Sequence, residues 1–200
     1  FELSGAPLAT VHETAAETAC HLAEVAAVTA DMGVAFMGLG AAPEWSQNEM
    51  PVMPKGRYRL MTEYMGRVGT HGTQMMYRTS TVQVNLDFGS EADMVKKFRV
   101  SLALQPIATA LFANSPFTEG RPNGFRSMRA QVWTDVDASR TGIPEVVFEE
   151  GFGFERFVEW VLDVPMYFVF RDGRLLLVTG SPGGSRIIGY VARAIVAHLD

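Results

Sequence analysis

Residues 81–88 alternate without exception: Val82, Val84, Leu86 and Phe88 are apolar, while Thr81, Gln83, Asn85 and Asp87 are polar. A period of two places the two sets on opposite faces of a strand. The apolar face should pack under helices, and the polar face should line the largest concave site. That polar row carries no Lys, Arg or Glu. Its amides and carboxylate are oxygen ligands suited to a hard cation such as Mg²⁺, or to a polar substrate. Read without chemistry, it is the water-facing side of a sheet.

The remaining pattern is mostly helical. Thr10 and Glu13 stand in capping-box spacing, and a helix should run from there through Leu22, Val25 and Val28 to just before Gly33. Val34 to Leu39 reads as a short buried strand, Pro43 to Pro54 as an ordered loop, and Pro54 as the start of a helix reaching Met65. Ser90 and Asp93 cap a further helix whose apolar positions are Met94, Phe98, Leu102, Ile107 and Leu111, with Pro106 set to kink it. Asn114–Asn123, with two prolines and a glycine, has the character of an active-site loop. Short helices follow near Phe125–Gln131 and Phe154–Leu162. Pro165–Phe170 and Arg174–Thr179 should then pair as a hairpin across Asp172-Gly173. Strands and helices mix without a regular βαβ rhythm, which favours an α+β fold.

Composition narrows the function. With 200 residues, 48% hydrophobic, the chain can bury one proper core. A net charge of −5 argues against bulk attraction to nucleic acid or anionic membrane. No apolar run spans a bilayer and no signal peptide is visible. The single Cys20 excludes an internal disulfide and fits a reducing cytoplasm. The four histidines make no site, since His12 and His21 share one helix and His71 lies in a Gly-rich turn. The chain starts at Phe1 as though an element were already in progress, so it reads as part of something longer.

The segments FELSGAP (Phe1–Pro7), MPKGRY (Met53–Tyr58), TVQVNLDF (Thr81–Phe88), SEADM (Ser90–Met94), LALQPIATALFANSPFTEGRPNGF (Leu102–Phe125) and LDVPMYFV (Leu162–Val169) resemble the plant and proteobacterial type of glutamate–cysteine ligase. The resemblance implies a glutamine-synthetase-like fold, here a partial antiparallel sheet bowl with outer helices. It implies ATP-dependent joining of the glutamate γ-carboxylate to the cysteine amine through an acyl phosphate, with ATP and Mg²⁺ as cofactors. Small-molecule substrates, and neither nucleic acid nor membrane, would then be the partners. The same resemblance singles out residues. Arg57 and Arg129 are the catalytic carboxylate clamps, because guanidinium binds carboxylate bidentately. Tyr167 and Asn85 join them in binding substrate, and Glu2 and Gln83 would serve the metal. By spacing alone Arg57 is also a solvated helix charge, Arg129 one of three arginines within nine residues, and Tyr167 a core aromatic.

From Arg171 onward the resemblance changes. DGRLLLVTGSPGGSRIIGYVARAIVAHLD (Asp172–Asp200) is similar to part of the small subunit of γ-glutamyltransferase, where Gly183 and Gly184 would supply an oxyanion hole. No nucleophile stands upstream to use it. The preferred reading of residues 181–185 is therefore a turn feeding a helix over 187–199. This organises the chain as a ligase-like core, residues 1–170, and a tail, residues 171–200. Two alternatives to ligation remain: a non-catalytic glutamate- or nucleotide-binding fragment, and γ-glutamyl transfer or hydrolysis through the tail.

Overall fold

A computed structural model describes residues 3–165 and 167–177, which fall into two compact units divided between Gly38 and Leu39. The first unit is built on α1 (Val11–Ala30). Its start is the capping box read from the sequence: the Glu13 amide donates to Thr10 Oγ1 (3.3 Å), and the Thr10 amide donates to Glu13 Oε2 (2.9 Å). Gly33, at φ 65°, takes the left-handed conformation that ends the element.

In the second unit the order is α2 (Gly56–Val68), α3 (Gly72–Arg78), α4 (Glu91–Leu111), β1 (Phe117–Thr118), β2 (Arg121–Pro122), α5 (Met128–Trp133), α6 (Phe154–Asp163), β3 (Phe168–Arg171) and β4 (Arg174–Leu177). Short 3-10 turns occupy Gln47–Glu49 and Glu145–Phe148. β1 pairs with β2 and β3 with β4, both antiparallel. The mixture is α+β, with helices dominant.

One core forms where α4 meets the Glu145–Phe148 turn and α6. Met94, Leu102, Val147 and Phe152 are buried there, with Phe98 and Phe157 packed against them and edge to face with each other. Ser90 caps α4 by accepting from the Asp93 amide, as its spacing predicts. Met65 of α2, Val132 of α5 and Val136 are also buried, and α2 packs on α3 and α3 on α5. The β3–β4 hairpin turns through Asp172 (φ 50°) and Gly173 (φ 72°), two successive positive φ values as a type I′ turn requires. The predicted continuation to Thr179, the turn at 181–185 and the helix at 187–199 lie outside the described residues.

The structure corrects two strands and part of one helix face. Residues 34–39 hold no strand, and pairing nearby reduces to a single bridge between Ala41 and Thr79. Residues 81–88 form no ladder, and Val82, Val84, Leu86 and Phe88 are 76, 54, 63 and 52% exposed rather than buried under helices. A strand exists only through its neighbours, and among the described residues none pairs with 81–88. No sheet there exceeds two strands, so the described residues build no bowl. In α4, Ile107 and Leu111 are exposed although the apolar pattern assigned them to the core. Both lie beyond Pro106, where the helix does not bury that face.

Candidate active site

Arg129 sits in a socket made by four segments. Ser127 Oγ caps α5 by accepting from the Ala130 amide. Ser115, 4% exposed, accepts the Arg129 amide on its Oγ (3.0 Å) and the Met128 amide on its carbonyl (3.1 Å). Asn123 Nδ2 also donates to the Ser115 carbonyl. The predicted active-site loop, residues 114–123, is thereby folded back on the start of α5. The Arg129 side chain is buried, and its Nε donates to the Ser80 carbonyl (2.8 Å), which fixes the plane of the guanidinium.

Gly40 completes the socket. Its amide donates to Asn114 Oδ1 (3.1 Å) and its carbonyl accepts from the Ser80 amide (3.0 Å). A Cβ at residue 40 would stand 2.5 Å from Asn114 Oδ1 and 3.3 Å from Arg129 Cδ, so only glycine allows this approach. A planar, pre-oriented guanidinium is what bidentate carboxylate recognition needs.

Arg57 occupies the first turn of α2, is exposed, and lies over the ring of Tyr58 at 5.0 Å. No acidic residue stands in that first turn. Lys55, Arg57 and Arg59 add to the positive end of the helix dipole instead of opposing it, which favours an anion at that end. Tyr64 follows Arg57 by seven residues, so the two project from nearly the same side of α2.

Tyr64 leads to Tyr167. Their rings meet edge to face at 5.1 Å, and the Arg140 guanidinium lies over both, 5.0 Å from the Tyr64 ring and 4.0 Å from the Tyr167 ring. Arg140 Nη1 donates to Tyr64 Oη (2.6 Å) and to Asp137 Oδ2 (2.5 Å), and its Nε donates to the Pro165 carbonyl (2.9 Å). The Tyr167 hydroxyl donates to the same Asp137 Oδ2 (3.3 Å), and Asp137 Oδ1 accepts from the Ser139 amide and hydroxyl. The Asp137 and Arg140 side chains are only 3% and 7% exposed. Burial alone would raise the Asp137 pKa, but hydrogen bonds from Ser139 and Arg140 outweigh it and hold the carboxyl below its usual range. Burial, then the Asp137 charge, pushes the Tyr167 phenol well above its ordinary value. The cluster is thus an ionised carboxylate, a guanidinium and the neutral phenol of Tyr167, with the Tyr64 ring against it.

Of the residues read from the sequence, Tyr167 is tied to α2, which carries Arg57, and to the segment leaving α5, which carries Arg129. Gln83 and Asn85 are exposed, and Gln83 Nε2 donates to Asn85 Oδ1 (3.4 Å), as side chains two apart on one side can. One cleft of about 480 Å³ lies between α4 and α5, against Pro106, Phe125 and Arg126. Another of about 500 Å³ lies along α6, against Arg156, Glu159 and Trp160. Neither includes residues 81–88. Glu2 is outside the described residues. Among the described residues no three His, Cys, Asp or Glu side chains are grouped to hold a metal. Asp137, Arg140 and Tyr64 escaped the sequence reading. Their spacing is an ordinary one for surface charge, and burial is what sets them apart.

The sequence profile of the glutamate-cysteine ligase family 2 (GCS2) matches residues 1–196. The chain belongs to that family. It is 61% identical over 180 residues to the chloroplastic glutamate–cysteine ligase of Brassica juncea, a stretch that is 90% of this chain and 35% of that protein. The Arabidopsis thaliana enzyme is also 61% identical, over 90% of this chain and 34% of its own length. Ligase B of Oryza sativa subsp. japonica is 55% identical over 97% of this chain and 39% of its own. The chain thus spans roughly a third of the length of these relatives. Two expectations change. The family match continues across residues 171–196, and nothing shows a γ-glutamyltransferase segment there. The relatives are chloroplastic, which overturns the cytoplasmic assignment made from Cys20.

Proposed function

We propose that this chain carries part of the active site of an ATP-dependent ligase that joins the γ-carboxylate of glutamate to the amine of cysteine, the first step of glutathione synthesis. The observation that carries this reading is the family match from residue 1 to residue 196, which takes in Arg57, Arg129 and Tyr167 together. Ligation requires the carboxylate to become an acyl phosphate, with ATP supplying the phosphoryl group. Nucleotide phosphates and a substrate carboxylate must therefore be held together against their mutual repulsion.

The chain's own residues address the carboxylate side of that problem. Arg129, its plane set by Ser80 and its backbone by Ser115, is the glutamate carboxylate clamp. Arg57, at the positive end of α2, adds a second cation. Tyr167 stands beside the cysteine substrate, and Asn85 contributes a polar contact. ATP and Mg²⁺ belong to the reaction as the family performs it. The larger bowl-shaped sheet implied by the resemblance belongs to the same proposal.

Thermal denaturation with added glutamate, then with Mg²⁺-ATP, tests the reading. A ligand at ~100-fold its Kd should stabilise by roughly 2.7 kcal/mol. Stabilisation by both ligands together with cysteine-dependent phosphate release supports ligation. Stabilisation without phosphate release under any condition would favour a non-catalytic binding fragment.

A further inference from the structure

We propose that Asp137 is the positioning residue for Tyr167: its buried carboxylate, braced by Arg140, aims the Tyr167 hydroxyl at the cysteine substrate. The proposal rests on the ligase reading, in which Tyr167 lies beside cysteine. It names a residue that neither the family match nor the sequence pattern assigns.

The geometry leaves Asp137 little else to do. Its Oδ1 is taken by the Ser139 amide (3.1 Å) and hydroxyl (2.6 Å), and its Oδ2 by Arg140 and Tyr167. A carboxylate so surrounded and 3% exposed is not placed to receive a substrate proton. Nor is stability a sufficient reason for the pair, because replacing a buried ion pair by apolar groups of similar volume is often neutral or stabilising. What the pair does provide is orientation. A phenol has a free ring torsion and a rotating O–H. Here Arg140 covers one ring face at 4.0 Å, the Tyr64 ring abuts it at 85°, and Asp137 Oδ2 accepts the hydrogen bond of the hydroxyl. Arg140 is itself held by the Pro165 carbonyl, two residues before Tyr167. Every charged or titratable group facing the hydroxyl in these contacts is therefore part of one clamp: Asp137, Arg140 and Tyr64.

The test is KM for cysteine, glutamate and ATP in active enzyme carrying this chain, comparing wild type, Y167F, D137N and the double variant. Loss of one neutral hydrogen bond should raise the cysteine KM roughly threefold to tenfold in Y167F. D137N should raise it by a similar factor, the double variant should be no worse than the stronger single variant, and the KM values for glutamate and ATP should stay put. A normal cysteine KM in D137N, an equal rise for all three substrates, or effects that multiply in the double variant would each overturn the proposal while leaving the ligase reading intact. A normal cysteine KM in Y167F would remove Tyr167 from the site, and the proposal with it. If D137N does not fold, D137E takes its place in the same kinetics, because it keeps the buried charge and moves the acceptor. It should raise the cysteine KM alone, and an unchanged cysteine KM in D137E would overturn the proposal.

Discussion

Arg129 and Asp137 are eight residues apart on one segment, and each is a buried polar side chain held by named partners. Replacing Arg129 by Ala should cost glutamate far more than ATP, since charge-assisted bonds of about 1.5–3 kcal/mol disappear. The expected loss in glutamate kcat/KM is roughly tenfold to a hundredfold, and substrate-resolved kinetics measures it. An equal loss for both substrates would mark a structural arginine. Gly40→Ala should disturb the same clamp from behind, because the added methyl meets Asn114 and Arg129. Overpacking of this kind costs about 1–3 kcal/mol, to be seen in denaturant unfolding. For Asp137 the sign follows from its depressed folded-state pKa. Its contribution is complete above the unfolded value of ~3.9 and is lost as pH falls through the lower, folded value. Stability should therefore decline below about pH 4, and D137N should flatten that decline. An unchanged acid limb in D137N would contradict the ion pair. Arg129 was legible through the motif around it. Asp137 was not, because nothing in a local pattern distinguishes a buried aspartate from a solvated one.

At the scale of elements, helices were easier to read than strands, for a physical reason. A helix satisfies its backbone within itself, so the Thr10–Glu13 box and the Ser90 cap announce α1 and α4 from a few residues. A hairpin also announces itself, as Asp172-Gly173 did. The alternation at 81–88 states only that a strand could form, and its ladder depends on a partner that a local pattern cannot supply. The amides of residues 82–88 should accordingly exchange with solvent fast in this chain, while those in the first half of α4, packed on Val147 and Phe152, exchange slowly. Hydrogen exchange read residue by residue checks this. Protection of Val82–Phe88 equal to that of Met94–Leu102 would show that the strand is paired after all.

At the scale of the molecule, the family was legible because ligase motifs run nearly the length of the chain, and the profile match to residue 196 agrees with them. The tail misled because the second resemblance rested on one short glycine-rich motif, whereas the family profile runs on across it to residue 196. The compartment misled because one cysteine says only that disulfides are absent within the chain, which a chloroplast enzyme satisfies as well as a cytoplasmic one. The central claim is that this segment handles glutamate and cysteine for ligation, with Arg129 on the glutamate carboxylate. Its most direct test is formation of γ-glutamylcysteine from glutamate, cysteine and ATP by active enzyme carrying this chain, with and without Arg129→Ala. The account predicts product that requires all three substrates, and an Arg129→Ala defect that saturating ATP does not relieve and higher glutamate partly does. Product formation indifferent to Arg129, or ATP cleavage that never requires cysteine, would contradict it.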